Sequence, residues 1–82
     1  MGIYLEGLFI SSEYRQYEER DTLAIVVAVV HDEKTNMHRV YMADRYNPDD
    51  FAGFKPGDKV SLRARPYVSL NGKLSWADGE IA

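Results

Sequence analysis

Residues 54–76, FKPGDKVSLRARPYVSLNGKLSW, read as a turn, a strand, a second turn and a second strand. In Lys55-Pro56-Gly57-Asp58, proline presets φ for a turn and glycine takes the positive φ that follows. Asn71-Gly72 is the strongest short hairpin signal in the chain. Between the turns Val60, Leu62 and Ala64 alternate with Lys59, Ser61, Arg63 and Arg65. One strand face is therefore small and apolar. The other carries cations and then Tyr67, a combination suited to a phosphate backbone with unstacked bases.

Working outward, the remaining 53 residues on the N-terminal side predict three more strands. The first runs from Ile3 to about Ser12, with Gly7 inside it as the mark of a bulge or a sharp bend. Glu13 to Asp21 (EYRQYEERD) is polar with two tyrosines, and reads as a protruding loop or the distal part of a long hairpin. The second strand, Thr22 to His31, has LAIVVAVV at its centre, the pattern of a strand buried on both faces or meeting a partner. DEKTN at 32–36 reads as a turn, and the third strand spans Met37 to about Tyr46. Asn47-Pro48-Asp49-Asp50-Phe51 has an N-cap, a proline at the first helical position and acids in the first turn, and Gly53 ends it quickly. Strands four and five span Lys59 to about Leu70 and Lys73 to Ile81.

The expected fold is all-β: a single domain over residues 1–82, forming a small five-stranded OB-like barrel with at most one short helical turn. Barrel closure removes exposed strand edges. An SH3-like barrel is the runner-up. At 82 residues the chain buries only about 60% of its unfolded surface, so a partner would add stability. Val26, Ala28 and Val30 form one face of the second strand and Leu23, Ile25, Val27 and Val29 the other; so small a barrel needs one of them for its core, and the other is an apolar patch that predicts a homodimer.

Composition narrows the chemistry. The chain has no cysteine, so disulfides and thiolate metal sites are excluded. The longest apolar run, Leu23 to Val30, is too short for a helix to span a bilayer, and the opening residues carry no secretory pattern. A soluble cytoplasmic protein is expected. Ser11, Ser12 and Ser69 have no base at a defined spacing, and no glycine loop cradles a phosphate. We therefore expect no catalytic residues, no cofactor, no metal and no small-molecule substrate. His31 and His38 flank the DEKTN turn and read as surface residues at strand ends rather than as metal ligands. Trp76 shares its parity with Leu74 and reads as core.

The candidate binding residues fall into three tyrosine–arginine groups. Arg39, Tyr41 and Arg45 share one face of the third strand. Arg63, Arg65 and Tyr67 share one face of the fourth. Tyr14, Arg15, Tyr17 and Arg20 lie in the polar segment. Stacking is worth about 1–3 kcal/mol per base, and arginine adds phosphate and cation–π contact. The charge is uneven: residues 1–33 hold two arginines against seven acids, net −5, while residues 34–82 hold eight cations against six acids, net +2.

The Lys55-Pro56-Gly57 turn, the strand after it and the Gly72-Lys73-Leu74 start of the last strand resemble the C-terminal third of small OB-fold single-stranded DNA-binding proteins, especially those of filamentous phages. The first strand, the segment with Tyr14, Arg15, Tyr17 and Arg20, and the apolar second strand are compatible with their layout. The resemblance implies a homodimer that binds single-stranded DNA, rather than RNA, cooperatively and without strong sequence preference, in phage or mobile-element DNA replication. The alternative expectation is an OB- or SH3-like protein-interaction module, or an acidic DNA mimic, whose acidic first half meets a basic protein.

Overall fold

A computed structural model describes residues 2–17 and 20–82; the side chains at 15–17, 20, 21 and 31 lie outside the description. The elements are β1 (Ile3–Tyr17), β2 (Arg20–His31), β3 (Lys34–Met42), a 3₁₀ turn (Pro48–Phe51), β4 (Lys59–Val68) and β5 (Leu74–Ile81). The strands close into a barrel in the order β1-β2-β3-β5-β4, with β4 returning to β1. This is the all-β, OB-like barrel that the sequence predicts. All neighbours are antiparallel except β3 and β5.

β1 serves two neighbours. Its first half, Ile3 to Leu8, pairs with β4, and its second half, from Leu8 on, pairs with β2. The corner falls beside Gly7, with a bulge between Phe9 and Ser11. Gly7 is there because of close approach: a Cβ would lie 2.5 Å from the Ala28 carbonyl oxygen and 2.6 Å from Val27 Cγ1. The Pro56-Gly57 turn locks the same corner. Gly57, at φ 96°, donates its N–H to the Phe9 carbonyl, and Phe9 donates to the Asp58 carbonyl.

Three boundaries differ from expectation. The polar segment takes the second of its two readings, the distal part of a long hairpin: Glu13↔Ala24 through Tyr17↔Arg20 continue the ladder, so β1 and β2 run past the expected limits at Ser12 and Thr22. Tyrosines favour strands and the cross-strand pairing extends the sheet beyond the core. The DEKTN turn needs only Asp32 and Glu33, both at positive φ (51° and 64°), so β3 starts at Lys34 rather than Met37. β3 also stops at Met42, where the Ala43 N–H turns to the Gly79 carbonyl at 3.0 Å.

Inward-facing Leu23, Ile25, Val27, Val40 and Leu62 fill the barrel. The 3₁₀ turn seals one end. The Asn47 side chain accepts from the Asp49 N–H at 3.0 Å, and Asp50 accepts from the Asn47 N–H at 2.9 Å. This reciprocal cap satisfies groups that the first turn leaves open. It delivers Phe51, only 2% exposed, against Phe9 and Phe54. Trp76 is core, as the sequence predicts, and its indole N–H donates to His38 Nδ1 at 3.1 Å. His38 is therefore a half-buried, inward-facing acceptor rather than a surface residue.

Candidate nucleic-acid interface

Alternation along β3 sends His38, Val40 and Met42 inward and Met37, Arg39 and Tyr41 outward. The ladder aligns three outward rows across β1, β2 and β3: Leu8–Ala28–Met37, Ser11–Val26–Arg39 and Glu13–Ala24–Tyr41. Ala24 and Ala28 are only 0% and 5% exposed, so the middle of the β2 outer face is covered by neighbouring strands' side chains. The outer face of β2, the side of Val26, Ala28 and Val30, is therefore a bare apolar patch only at its Val30 end, which is 62% exposed. Small alanines let flanking side chains meet above β2, and Arg39 Nε donates to Glu13 Oε1 across that strand at 3.2 Å.

Tyr14, at 54% exposure, is paired with Leu23, whereas Tyr41 is paired with Ala24. Consecutive strand residues point to opposite faces. Tyr14 thus lies on the other face of the sheet from Arg39 and Tyr41. The candidates Arg15, Tyr17 and Arg20 are among the side chains outside the description.

Arg45 does not share the Tyr41 face, because β3 ends before it. It sits over the Tyr46 ring, 4.9 Å from the centroid, and bonds Glu80 at 3.1 Å. The Tyr46 hydroxyl, then Glu80, raise the Arg45 guanidinium above its ordinary value, so it stays cationic. The same hydroxyl accepts from the Ile81 N–H at 2.9 Å and ties this corner to β5.

On β4, Arg63 and Arg65 are exposed and Tyr67 is half-buried opposite Ser75. Arg63 lies over the Tyr4 ring at 4.7 Å and donates to its hydroxyl. Arg65 donates through Nε and Nη2 to Asp78 Oδ2 at 3.0 and 2.8 Å. β5 intervenes between β3 and β4, so the Arg39–Tyr41 pair and the Arg63–Arg65–Tyr67 group occupy different sides of the barrel.

Sequence reasoning missed Tyr4, Met37 and the carboxylate partner Glu13. The Tyr4↔Arg63 and Ala28↔Met37 pairings place the first two, and they depend on strand register. The sequence offers Asp78 and Glu80 as neighbouring-strand partners for Arg63 and Arg65; Asp78 does pair with Arg65, whereas Glu80 pairs with Arg45. Exposed pairs like these contribute about 0–1 kcal/mol each, so they are easily exchanged for another anion. Among the described residues no group of three or more His, Cys, Asp or Glu converges for a metal, and no helix is long and apolar enough to cross a membrane. No protein-family model matches the chain, and no curated protein matches it.

Proposed function

We propose that this chain is a non-catalytic, cytoplasmic single-stranded DNA-binding protein, akin to the small OB-fold proteins of filamentous phages. The observation that carries the reading is the outward alternation Met37, Arg39, Tyr41 on β3. OB barrels take oligonucleotides on the face of strands two and three, flanked by the β1–β2 and β4–β5 connections. Arg39 supplies phosphate contact, Tyr41 a stacking surface and Met37 a polarisable apolar platform. Tyr14 offers contact on the opposite face of the long hairpin, with Arg15, Tyr17 and Arg20 beside it in sequence. Arg45, Arg63, Arg65 and Tyr67 offer contact on the sides of the barrel.

The proposed protein is a homodimer. β3 and β5 run parallel, so the β2–β3 and β4–β5 turns lie at the same end of the barrel. Val30, Val68, Leu70 and Leu74 are exposed on the strands and turn leading to that end. A second copy would cover them.

The test is a titration of labelled oligo-dT at low and moderate salt. Saturable binding that weakens with salt is expected. Absence of binding at low salt overturns the reading in favour of a protein-interaction module. One observation supports that second reading: Arg39, Arg45 and Arg65 each already face a carboxylate.

A further inference from the structure

Ala64 of β4 faces two residues of β5, Asp78 and Gly79, because the register shifts between Arg63↔Glu80 and Arg65↔Ala77. The extra residue is a β-bulge. Asp78 holds φ 55° there, in the left-handed region that glycine occupies without strain. A residue held in a sparsely populated conformation invites a functional question. The bulge aims the Asp78 carboxylate at Arg65, where one oxygen accepts both Nε and Nη2. The pair borders an open cleft of ≈ 210 Å³ that is also lined by Gly2, Arg63 and Glu80. Arg63, by contrast, rests on the Tyr4 ring.

We propose that Asp78 is a built-in competitor on the β4 face, which a phosphate must displace from Arg65. The inference rests on the single-stranded DNA reading above. The Arg65 and Asp78 side chains are 56% and 70% exposed, so exchange costs little burial. A phosphate that takes Arg65 frees the Asp78 carboxylate, which then recruits a cation from solution. That uptake offsets a counterion released from the strand, so this contact contributes little to the salt dependence of binding. It also leaves a carboxylate beside the phosphate, which lowers affinity. The β4 face thus binds a strand more weakly, and with a flatter salt response, than its arginines alone would.

The experiment compares oligo-dT titrations over a salt series for the wild type, Asp78→Asn, Arg65→Ala, Arg65→Ala/Asp78→Asn and Asp49→Asn. Asparagine tolerates the left-handed backbone, so Asp78→Asn keeps the bulge; melting curves verify the fold of every variant. Asp49 is an exposed carboxylate of the 3₁₀ turn. That turn approaches β4 at Lys59, six residues and about 20 Å of strand from Arg65. Asp49→Asn therefore controls for net charge, because screening at physiological salt acts beyond about 8 Å. Asp78→Asn is expected to tighten binding about two- to fivefold and to steepen the log–log salt slope by roughly 0.7. The effect should vanish in the Arg65→Ala background, and Asp49→Asn should stay near wild type. Equal gains from Asp78→Asn and Asp49→Asn, a gain that persists without Arg65, or wild-type binding unchanged by Asp78→Asn each overturn this proposal and leave the DNA-binding reading standing. No binding by any variant at low salt overturns both.

Discussion

Glu33 is the clearest residue-scale conflict between local preference and fold. It sits at φ 64° in a two-residue turn that favours Asn-Gly or Asp-Gly. An L side chain in this region costs about 1–2 kcal/mol, part of which glycine returns as extra freedom of the unfolded chain. Glu33→Gly should therefore stabilise the protein by about 1 kcal/mol and raise Tm by roughly 4–8 °C in a thermal melt. Position 38 works in the opposite sense. His38 Nδ1 accepts from the single tryptophan, Trp76, which is only 7% exposed. His38→Ala would leave that N–H without its acceptor, at a cost of about 1–3 kcal/mol. A lowered urea midpoint followed by Trp76 fluorescence checks this; an unchanged midpoint would show that solvent replaces the imidazole. The sequence assigned Trp76 to the core through its parity with Leu74; Trp76 is buried, although Leu74 beside the turn is 52% exposed. The acceptor of the indole was not readable, because His38 and Trp76 are 38 residues apart and meet only across the parallel β3–β5 contact.

At the scale of the element, β1 and β3 carry the argument. Gly7 lies where β1 passes from one neighbour to the other, and a Cβ there would strike the Ala28 carbonyl oxygen at 2.5 Å. Backbone cannot step aside as a flexible side chain does. Gly7→Ala should cost about 1–3 kcal/mol, read as a lower urea midpoint. The β3 outer face gives a kinetic-independent test of the DNA-binding reading. Arg39→Ala should weaken oligo-dT binding and reduce the salt slope by up to roughly 0.7, and by less where Glu13 already neutralises the guanidinium. Tyr41→Ala should weaken binding by about 1–3 kcal/mol with the slope nearly unchanged, because stacking releases few counterions. Loss of both effects, with the fold intact by melting, would move the interface off β3. Shared parity made Arg39 and Tyr41 recognisable as a pair. The same rule failed for Arg45, since it holds only while the strand lasts and β3 ends at Met42.

At the scale of the molecule, the exposed apolar residues at one barrel end decide the prediction. Val30, Val68, Leu70 and Leu74 are solvent-facing in a single copy. Sedimentation at micromolar concentration should show a dimer, and Leu70→Ser with Val30→Ser should shift it toward monomer without lowering the monomer's secondary-structure content. A wild type that sediments as a monomer would end the homodimer reading. The sequence also pointed to a dimer, but through the outer face of β2. That face is largely shielded, because Ala24 and Ala28 are short enough for neighbouring side chains to close over them.

Local chemistry in the sequence determined the all-β class, the five strands, the capped turn at Asn47 and the core parity of β4. Alternation, proline, glycine and capping residues act within a few positions, so they are readable without a partner strand. Tertiary structure alone decided which faces come together. Closure through β5 puts the Arg39–Tyr41 pair and the Arg63–Arg65–Tyr67 group on different sides. The bulge at Asp78 interrupts the final hairpin, and the long β1–β2 ladder turns Tyr14 to the face opposite Tyr41. Each of these depends on register, and a shift of one residue reverses every side chain on a strand.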